Sequence, residues 1–195
     1  DDLNNVQNCI KSTYVSTRGN FTKKFENKLS QVVNSKYVVA VNSGTSGLEL
    51  ALRTLNIQDQ DEVLVPALTF VASVNSIKFC NAIPHFIDSD ISDFGIDVDK
   101  LNKYLEKNTH TKNNSLYNKK SGRRIFAIMP VHIFGMPCNI IGIQKIAKKF
   151  NLKVVEDATE ALGSKLRGKQ MGTFGDIGVL SFNANKIITT GGGGA

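Results

Sequence analysis

The stretch Tyr37-Val38-Val39-Ala40-Val41-Asn42-Ser43-Gly44-Thr45-Ser46-Gly47-Leu48-Glu49-Leu50-Ala51-Leu52 points to the class of fold. Its first five residues are apolar and suit a short buried strand. Leu48, Ala51, Leu52 and Leu55 then recur at helical spacing. Between them, Asn42 to Gly47 must turn strand into helix in very few residues. Glycine lets the backbone turn closely. The helix start offers free N–H groups and a partial positive charge, so the turn could cradle an anion, most naturally a phosphate. Ser and Thr are also ordinary helix caps, and a plain capped turn explains the same residues equally well. The stretch is neither a Walker loop nor a G-x-G-x-x-G fingerprint.

Outward from it the same alternation continues. Phe21, Phe25, Leu29 and Val32 mark an amphipathic helix over about 21–34. Glu62 to Val65 reads as a strand stopped by Pro66, residues 69–80 as a helix, and Ile83 to Ile87 as a strand. A helix runs from Val98 to about Lys107. Residues 108–122 are polar and without period, and read as a surface loop. Strand 125–129, helix 140–150, strand 153–156 and strand 177–182 follow. Strands alternating with helices predict an α/β fold of three layers, a mainly parallel sheet covered on both faces.

Composition narrows the functional classes. The 195 residues are 41% hydrophobic and 21% charged, ordinary values for a globular chain. No window has the length of uninterrupted apolar residues that a membrane span needs. Cys9, Cys80 and Cys138 lack disulfide or metal spacing, which suits a reducing cytoplasm, and the scattered His85, His110 and His132 suggest no metal site. The net charge of +7 is concentrated in Lys100 to Arg124. A solvated face accounts for it, with attraction of an anionic substrate such as a nucleotide as the second reading. No aromatic interleaving accompanies the charge, so nucleic acid is not an expected partner. The start at Asp1 without Met and the stop after four glycines suggest that both ends are cut.

Two further segments carry reactive groups. In Val154-Val155-Glu156-Asp157-Ala158-Thr159-Glu160, Asp157 directly follows a buried strand. A carboxylate fixed there could keep a pyridine nitrogen protonated and make the ring an electron sink. It could equally cap a helix. In Leu180-Ser181-Phe182-Asn183-Ala184-Asn185-Lys186, a lysine follows a buried strand and precedes a glycine tract. Such a lysine is a candidate Schiff-base former, although a lone lysine is ordinarily a surface charge.

Taken together and in this order, NSGTSGLELAL, VEDATEALGS and SFNANK resemble the DegT/StrS family of sugar aminotransferases. The resemblance runs over nearly the whole chain. It implies the fold of the aspartate aminotransferase large domain, with residues 1–195 an incomplete pyridoxal-phosphate-binding domain and a smaller C-terminal domain missing. It implies pyridoxal 5'-phosphate as cofactor and Lys186 as its covalent lysine and proton shuttle. Asp157 would partner the ring nitrogen, Thr45, Ser46 and Ser181 would cradle the phosphate, and Phe70 would stack on the ring. Glu160 stands where many members carry Gln or His near the ring oxygen. A carboxylate there would repel a phenolate unless protonated or turned aside. His132, in PVHIFG, sits at a strand end and is expected to be structural.

Within the family, SFNANKIITTGGGG, PVHIFGMPCNI and the insert before Gly122 resemble aminotransferases of the LegC type. These use glutamate to aminate a 4-keto-6-deoxy sugar nucleotide on the way to bacillosamine or legionaminic acid. The implied assembly is a homodimer with shared sites, in which residues 1–195 alone would be inactive. Another nucleotide sugar, such as a perosamine-type substrate, is the alternative. So is a catalytically silent member acting as a binding or regulatory protein. The dehydrase branch of the family lacks the Schiff-base lysine, and Lys186 argues against it.

Overall fold

A computed structural model describes residues 2–195. The chain divides into two compact units, residues 1–40 and 41–195. The first holds helices α1 (Asp2–Lys11) and α2 (Asn20–Val33). Helix α1 gave no clear signal in the sequence. Helix α2 forms as expected and ends where Asn34 enters the left-handed region at φ 54° and donates its N–H to Ser30 O. Residues 37–40 do not form the expected strand. Tyr37 and Val39 are largely exposed. A strand needs a second backbone beside it, whereas Ala40 N–H donates to the Glu26 carboxylate at 2.9 Å.

The second unit is the α/β body. Its elements run α3 (Gly44–Thr54), β1 (Glu62–Pro66), α4 (Val71–Phe79), β2 (Ile83–Ile87), α5 (Val98–Asn108), β3 (Thr109–Lys112), β4 (Ser115–Asn118), β5 (Arg124–Ile128), α6 (Ile140–Phe150), β6 (Lys153–Asp157), β7 (Lys165–Leu166), β8 (Lys169–Gln170) and β9 (Ile177–Val179). Strands β2, β1, β5, β6 and β9 lie side by side and parallel. Beyond β9 the chain pairs with its own last residues. Leu180 exchanges both backbone hydrogen bonds with Ala195, and Gly194 does the same with Val41 on its other side. Residues 193–195 are thus an antiparallel insertion between Val41 and the β9 extension, which shortens the parallel part of the expected strand 177–182 to three residues.

Every residue of β1 is buried, as in a parallel strand covered on both faces. Alternation divides the side chains between two cores. Val63, Val65, Ala127, Met129, Val155 and Val179 pack with Leu48 and Leu52 of α3 and Ile77 of α4. Helix α6 contacts β5 and β6 and packs on α5. Its residues Ile140, Ile143 and Ile146 are buried, as are Leu101 and Leu105 of α5. The three-layer α/β fold with a mainly parallel sheet is therefore the one expected.

The expected loop at 108–122 is instead a β-hairpin. Strands β3 and β4 pair antiparallel from Thr109↔Asn118 to Lys112↔Ser115. Strand β4 pairs with the first half of β5, and β6 takes over at Ala127. The turn residues Asn113 and Asn114 have φ 48° and 60°, the sign that a tight hairpin turn requires at both centres. Buried Glu62 ties the hairpin down. It accepts from Asn118 Nδ2 at 3.0 Å and Ser121 Oγ at 2.5 Å, and shares a 2.7 Å hydrogen bond with His85 Nδ1. Polar composition concealed this hairpin because its buried face is a single leucine, Leu116, flanked by hydrogen-bonded polar groups.

The turn gives a direct check. Asn114→Gly should leave stability unchanged or slightly raised. Asn114→Val should lose about 1–2 kcal/mol, the cost of placing a β-branched residue in the left-handed region. Equilibrium denaturation of the two variants measures it, and equal stabilities would exclude a strained turn.

Candidate active site

Parallel pairing brings the carboxyl ends of the strands to one edge, where ligands of open α/β sheets bind. The first contribution is the start of α3. Ser43 is extended, and its Oγ accepts the Ser46 N–H at 3.1 Å and lies 3.0 Å from Ser46 Oγ. Gly47 N–H donates to Ser43 O. Among the described residues the N–H groups of Gly44 and Thr45 have no protein acceptor. A Cβ on Gly44 would lie 2.9 Å from Thr159 Cγ2 and 3.1 Å from Ser181 Cβ. Glycine is what lets the helix start close onto the ends of β6 and β9. Thr45, Ser46 and Ser181 are thereby gathered round one helix N-terminus.

The second contribution is Asp157, the last residue of β6 and almost fully buried. Its Oδ2 accepts from Ser73 Oγ at 2.6 Å, and its Oδ1 accepts from Thr159 Oγ1 at 2.7 Å and Thr159 N at 3.2 Å. No helix follows it, so the helix-cap reading of Asp157 does not hold. An ionised carboxylate has about four acceptor positions. Three are occupied, and one remains for an outside donor. Ser73 escaped the sequence reading. It lies one turn into α4, with Thr69 Oγ1 2.8 Å from its own hydroxyl, and a serine at a helix start gives no sign that it will reach another strand's carboxylate.

The third contribution is Lys186, in the turn after Ser181. Its Nζ meets Glu160 Oε1 at 3.1 Å, and its side chain is only 15% exposed. Glu160 Oε2 accepts the Phe134 N–H at 2.9 Å. Glu160 is thus turned onto a cation and an N–H. Phe70 occupies the N-cap position of α4 and is 70% exposed, with its ring free of core packing. The structure therefore brings Thr45, Ser46 and Ser181 together with Thr159 and Asp157, and pairs Glu160 with Lys186. Phe70 it leaves open at the same edge.

Beneath the edge lies a second carboxylate, Glu156, on the opposite face of β6. It is fully buried. Oε1 accepts the N–H groups of Phe174 and Gly175 at 2.5 and 2.6 Å, and Oε2 accepts that of Gly172 at 2.9 Å and meets His132 Nε2 at 3.1 Å. Burial alone would push its pKa up, but the His132 hydrogen bond and the backbone donors outweigh it and hold it below the ordinary glutamate value. His132 is fully buried and also accepts the Cys138 N–H, which fits the structural role expected of it. Cys138 is packed away beside it, and burial pushes its thiol pKa up.

The DegT/DnrJ/EryC1/StrS aminotransferase family description matches residues 1–195. The chain belongs to this family. It is 43% identical to a GDP-perosamine synthase of Escherichia coli O157:H7 over 97% of its own length and 48% of that protein. It is 40% identical to a GDP-perosamine synthase of Caulobacter vibrioides over 97% and 47%. A putative sugar aminotransferase of Streptococcus pneumoniae, solved in its PMP form, superposes with TM-score 0.79 at 29% identity, covering 97% of this chain and 48% of that one. The chain spans about half the length of the curated relatives it matches. Among the described residues no helix is long and apolar enough to cross a membrane.

Glu156 makes stability depend on acid. Its folded pKa lies below the unfolded one, so its contribution is complete above the ordinary glutamate value near 4.5 and is lost as pH falls through the lower folded value. Denaturation midpoints should drop on acidification through this range, and Glu156→Gln should flatten the drop while costing about 1–3 kcal/mol at neutral pH. A Gln variant with the parent pH profile would show that Glu156 does not control it.

Proposed function

We propose that the protein is a pyridoxal-phosphate-dependent aminotransferase acting on a nucleotide-linked 4-keto-6-deoxy sugar, with glutamate as amino donor. The observation that carries this reading is the gathering of a helix N-terminus, a carboxylate with one open acceptor position and a half-sheltered lysine at one strand edge. Gly44 supports the fit, since its missing Cβ brings Thr45, Ser46 and Ser181 together as donors for a phosphate. The cofactor, when bound, supplies the electron sink that amino transfer needs.

In this reading the chain's own residues divide the work. The N–H groups of Gly44 and Thr45 and the hydroxyls of Thr45, Ser46 and Ser181 hold the phosphate. Asp157, fixed in place by Ser73 and Thr159, would accept a hydrogen bond from the protonated ring nitrogen at its free position and so keep that nitrogen protonated. Phe70, already exposed, covers one ring face. Lys186 Nζ is the covalent anchor and proton carrier, and it must first leave Glu160. Glu160 holds that amine in place while the site is open. The donor and acceptor walls completed by a second subunit, and a smaller domain after residue 195, belong to the same proposal.

For the sugar, the motifs SFNANKIITTGGGG and PVHIFGMPCNI favour a LegC-type, UDP-linked substrate. The two GDP-perosamine synthases at 43% and 40% identity support the perosamine-type alternative, and we adopt it. Both readings share a 4-keto-6-deoxy sugar. A silent binding protein is disfavoured because every chemistry-bearing position is filled, and the dehydrase branch because Lys186 is present.

Full-length protein supplied with glutamate should aminate a GDP-linked 4-keto-6-deoxy sugar faster than its UDP-linked counterparts. Amination of no member of that panel would overturn the reading. Borohydride reduction of the cofactor-loaded protein and peptide mapping should tag Lys186. Lys186→Ala should abolish amination with stability lowered by no more than about 1 kcal/mol, since the fold loses one partly exposed ion pair. A tag on another lysine would refute the assignment.

Asp157→Asn tests the electron sink separately. It should retain cofactor binding while turnover falls roughly 10- to 150-fold, the equivalent of one lost charged hydrogen bond. Parent-rate turnover would reduce Asp157 to a turn residue.

A further inference from the structure

Phe134 is the most conspicuous residue near the site that neither the sequence reading nor the proposed chemistry uses. It follows β5 in a short 3-10 turn, Ile133–Gly135. Its backbone sits at φ 53° and ψ 23°, a left-handed conformation that a bulky aromatic rarely adopts. The residue is 80% exposed. Burial of the ring therefore does not compensate the strain. The backbone on either side is instead bolted down. Phe134 N–H donates to Glu160 Oε2 at 2.9 Å, and Gly135 N–H donates to His132 O at 3.1 Å. Gly135 itself has φ 79°, and a Cβ there would lie 2.8 Å from Glu160 O, so the turn is pressed against the Glu160 backbone as well. His132 is anchored in turn to buried Glu156. The same Glu160 carboxylate holds Lys186 through its other oxygen. One carboxylate thus fixes both the reactive amine and the strained turn that displays the ring.

Strain held rigidly beside a reactive group, with an apolar side chain left in solvent, indicates a ligand-facing position. We propose that Phe134 is a specificity-determining residue whose ring receives the apolar face of the acceptor sugar. The proposal rests on the amino-sugar reading above and adds to it the residue that recognises the sugar. A 6-deoxy pyranose offers a run of C–H groups and a methyl where other hexoses carry a hydroxyl, and a flat aromatic ring is the matching surface. Glutamate has no such face, so the donor should not need Phe134.

The test uses full-length protein and two variants. Phe134→Asn removes the ring and keeps a residue that tolerates the left-handed backbone. Phe134→Tyr keeps the ring. The measurements are KM for the keto-sugar nucleotide, the rate of the glutamate half-reaction, Kd of the amino-sugar nucleotide by titration, and melting temperature. Phe134→Asn should raise the sugar KM and the product Kd about tenfold. It should leave the glutamate half-reaction at the parent rate and melt at the parent temperature or higher, because strain is relieved. Phe134→Tyr should restore both sugar constants. Unchanged sugar constants in Phe134→Asn, or a parallel loss in the glutamate half-reaction, would overturn the proposal while the parent still aminates the sugar. A parent protein that accepts the amino group of glutamate yet aminates no keto sugar overturns this proposal together with the reading it rests on.

Discussion

Parallel pairing of β1, β5, β6 and β9 is the constraint on which the site depends. It sends every strand end to one edge, so residues 43–46, 69–73, 131–135, 157–160 and 181–186 meet although they are far apart in sequence. The pairing of Gly194 with Val41 and Ser181 ties the chain before α3 to the sheet beyond β9. Once the strands are in register, little is left to adjust. Gly44 can approach Thr159 and Ser181 to contact distance only if α3 starts where it does, and Ser43 fixes that start by capping. A side chain at Gly44 would push the helix start away from both strand ends.

Adjacent positions on β6 show how the sheet separates structure from chemistry. Side chains alternate across a strand, so Glu156 and Asp157 face opposite sides. Glu156 receives four hydrogen bonds, three of them from the backbone of residues 172–175, and is saturated. It holds the approach to β9 and the His132 turn. Asp157 receives three and keeps one position open. Two carboxylates one residue apart thus have different capacities, and the difference lies in their neighbours rather than in their own chemistry. The buried pair of His132 and Glu156 anchors the turn that carries Phe134, so the saturated face of β6 also positions a residue that contacts Glu160.

The sequence revealed what periodicity and motif can carry. Helices α2 and α3 follow from apolar spacing, and strands β1, β2 and β6 from short apolar runs, although β2 is only partly buried. The candidate site was legible where a motif sat near a strand end, and the structure brings Thr45, Ser46, Asp157 and Ser181 together and pairs Lys186 with Glu160. Three kinds of information were hidden. The β3–β4 hairpin presents polar residues to water and to Glu62, and its only clear sign is the Asn113–Asn114 turn. Residues 37–40 have the composition of a strand, but composition does not supply a neighbouring backbone. Ser73 and Phe134 matter through contacts with distant segments, and nothing within a few residues of either encodes those contacts.

Glu160 presented the clearest conflict at the level of sequence, a carboxylate expected beside the oxygen of an anionic ring. Both oxygens are turned to donors, Lys186 Nζ on one and Phe134 N–H on the other. The Glu160 side chain is 38% exposed, and an ion pair in such a setting contributes only about 0–1 kcal/mol to stability. Fold stability is therefore a poor reason for the arrangement. Orientation is a better one, because a single rigid carboxylate sets the position of a flexible four-carbon amine relative to a fixed turn. An interaction of this strength can also be exchanged at little cost. A neutral Gln has one acceptor oxygen where the carboxylate has two, so it could not take Lys186 Nζ and the Phe134 N–H on separate oxygens. The acidic residue at this position is thus matched to holding the amine and the Phe134 turn at the same time.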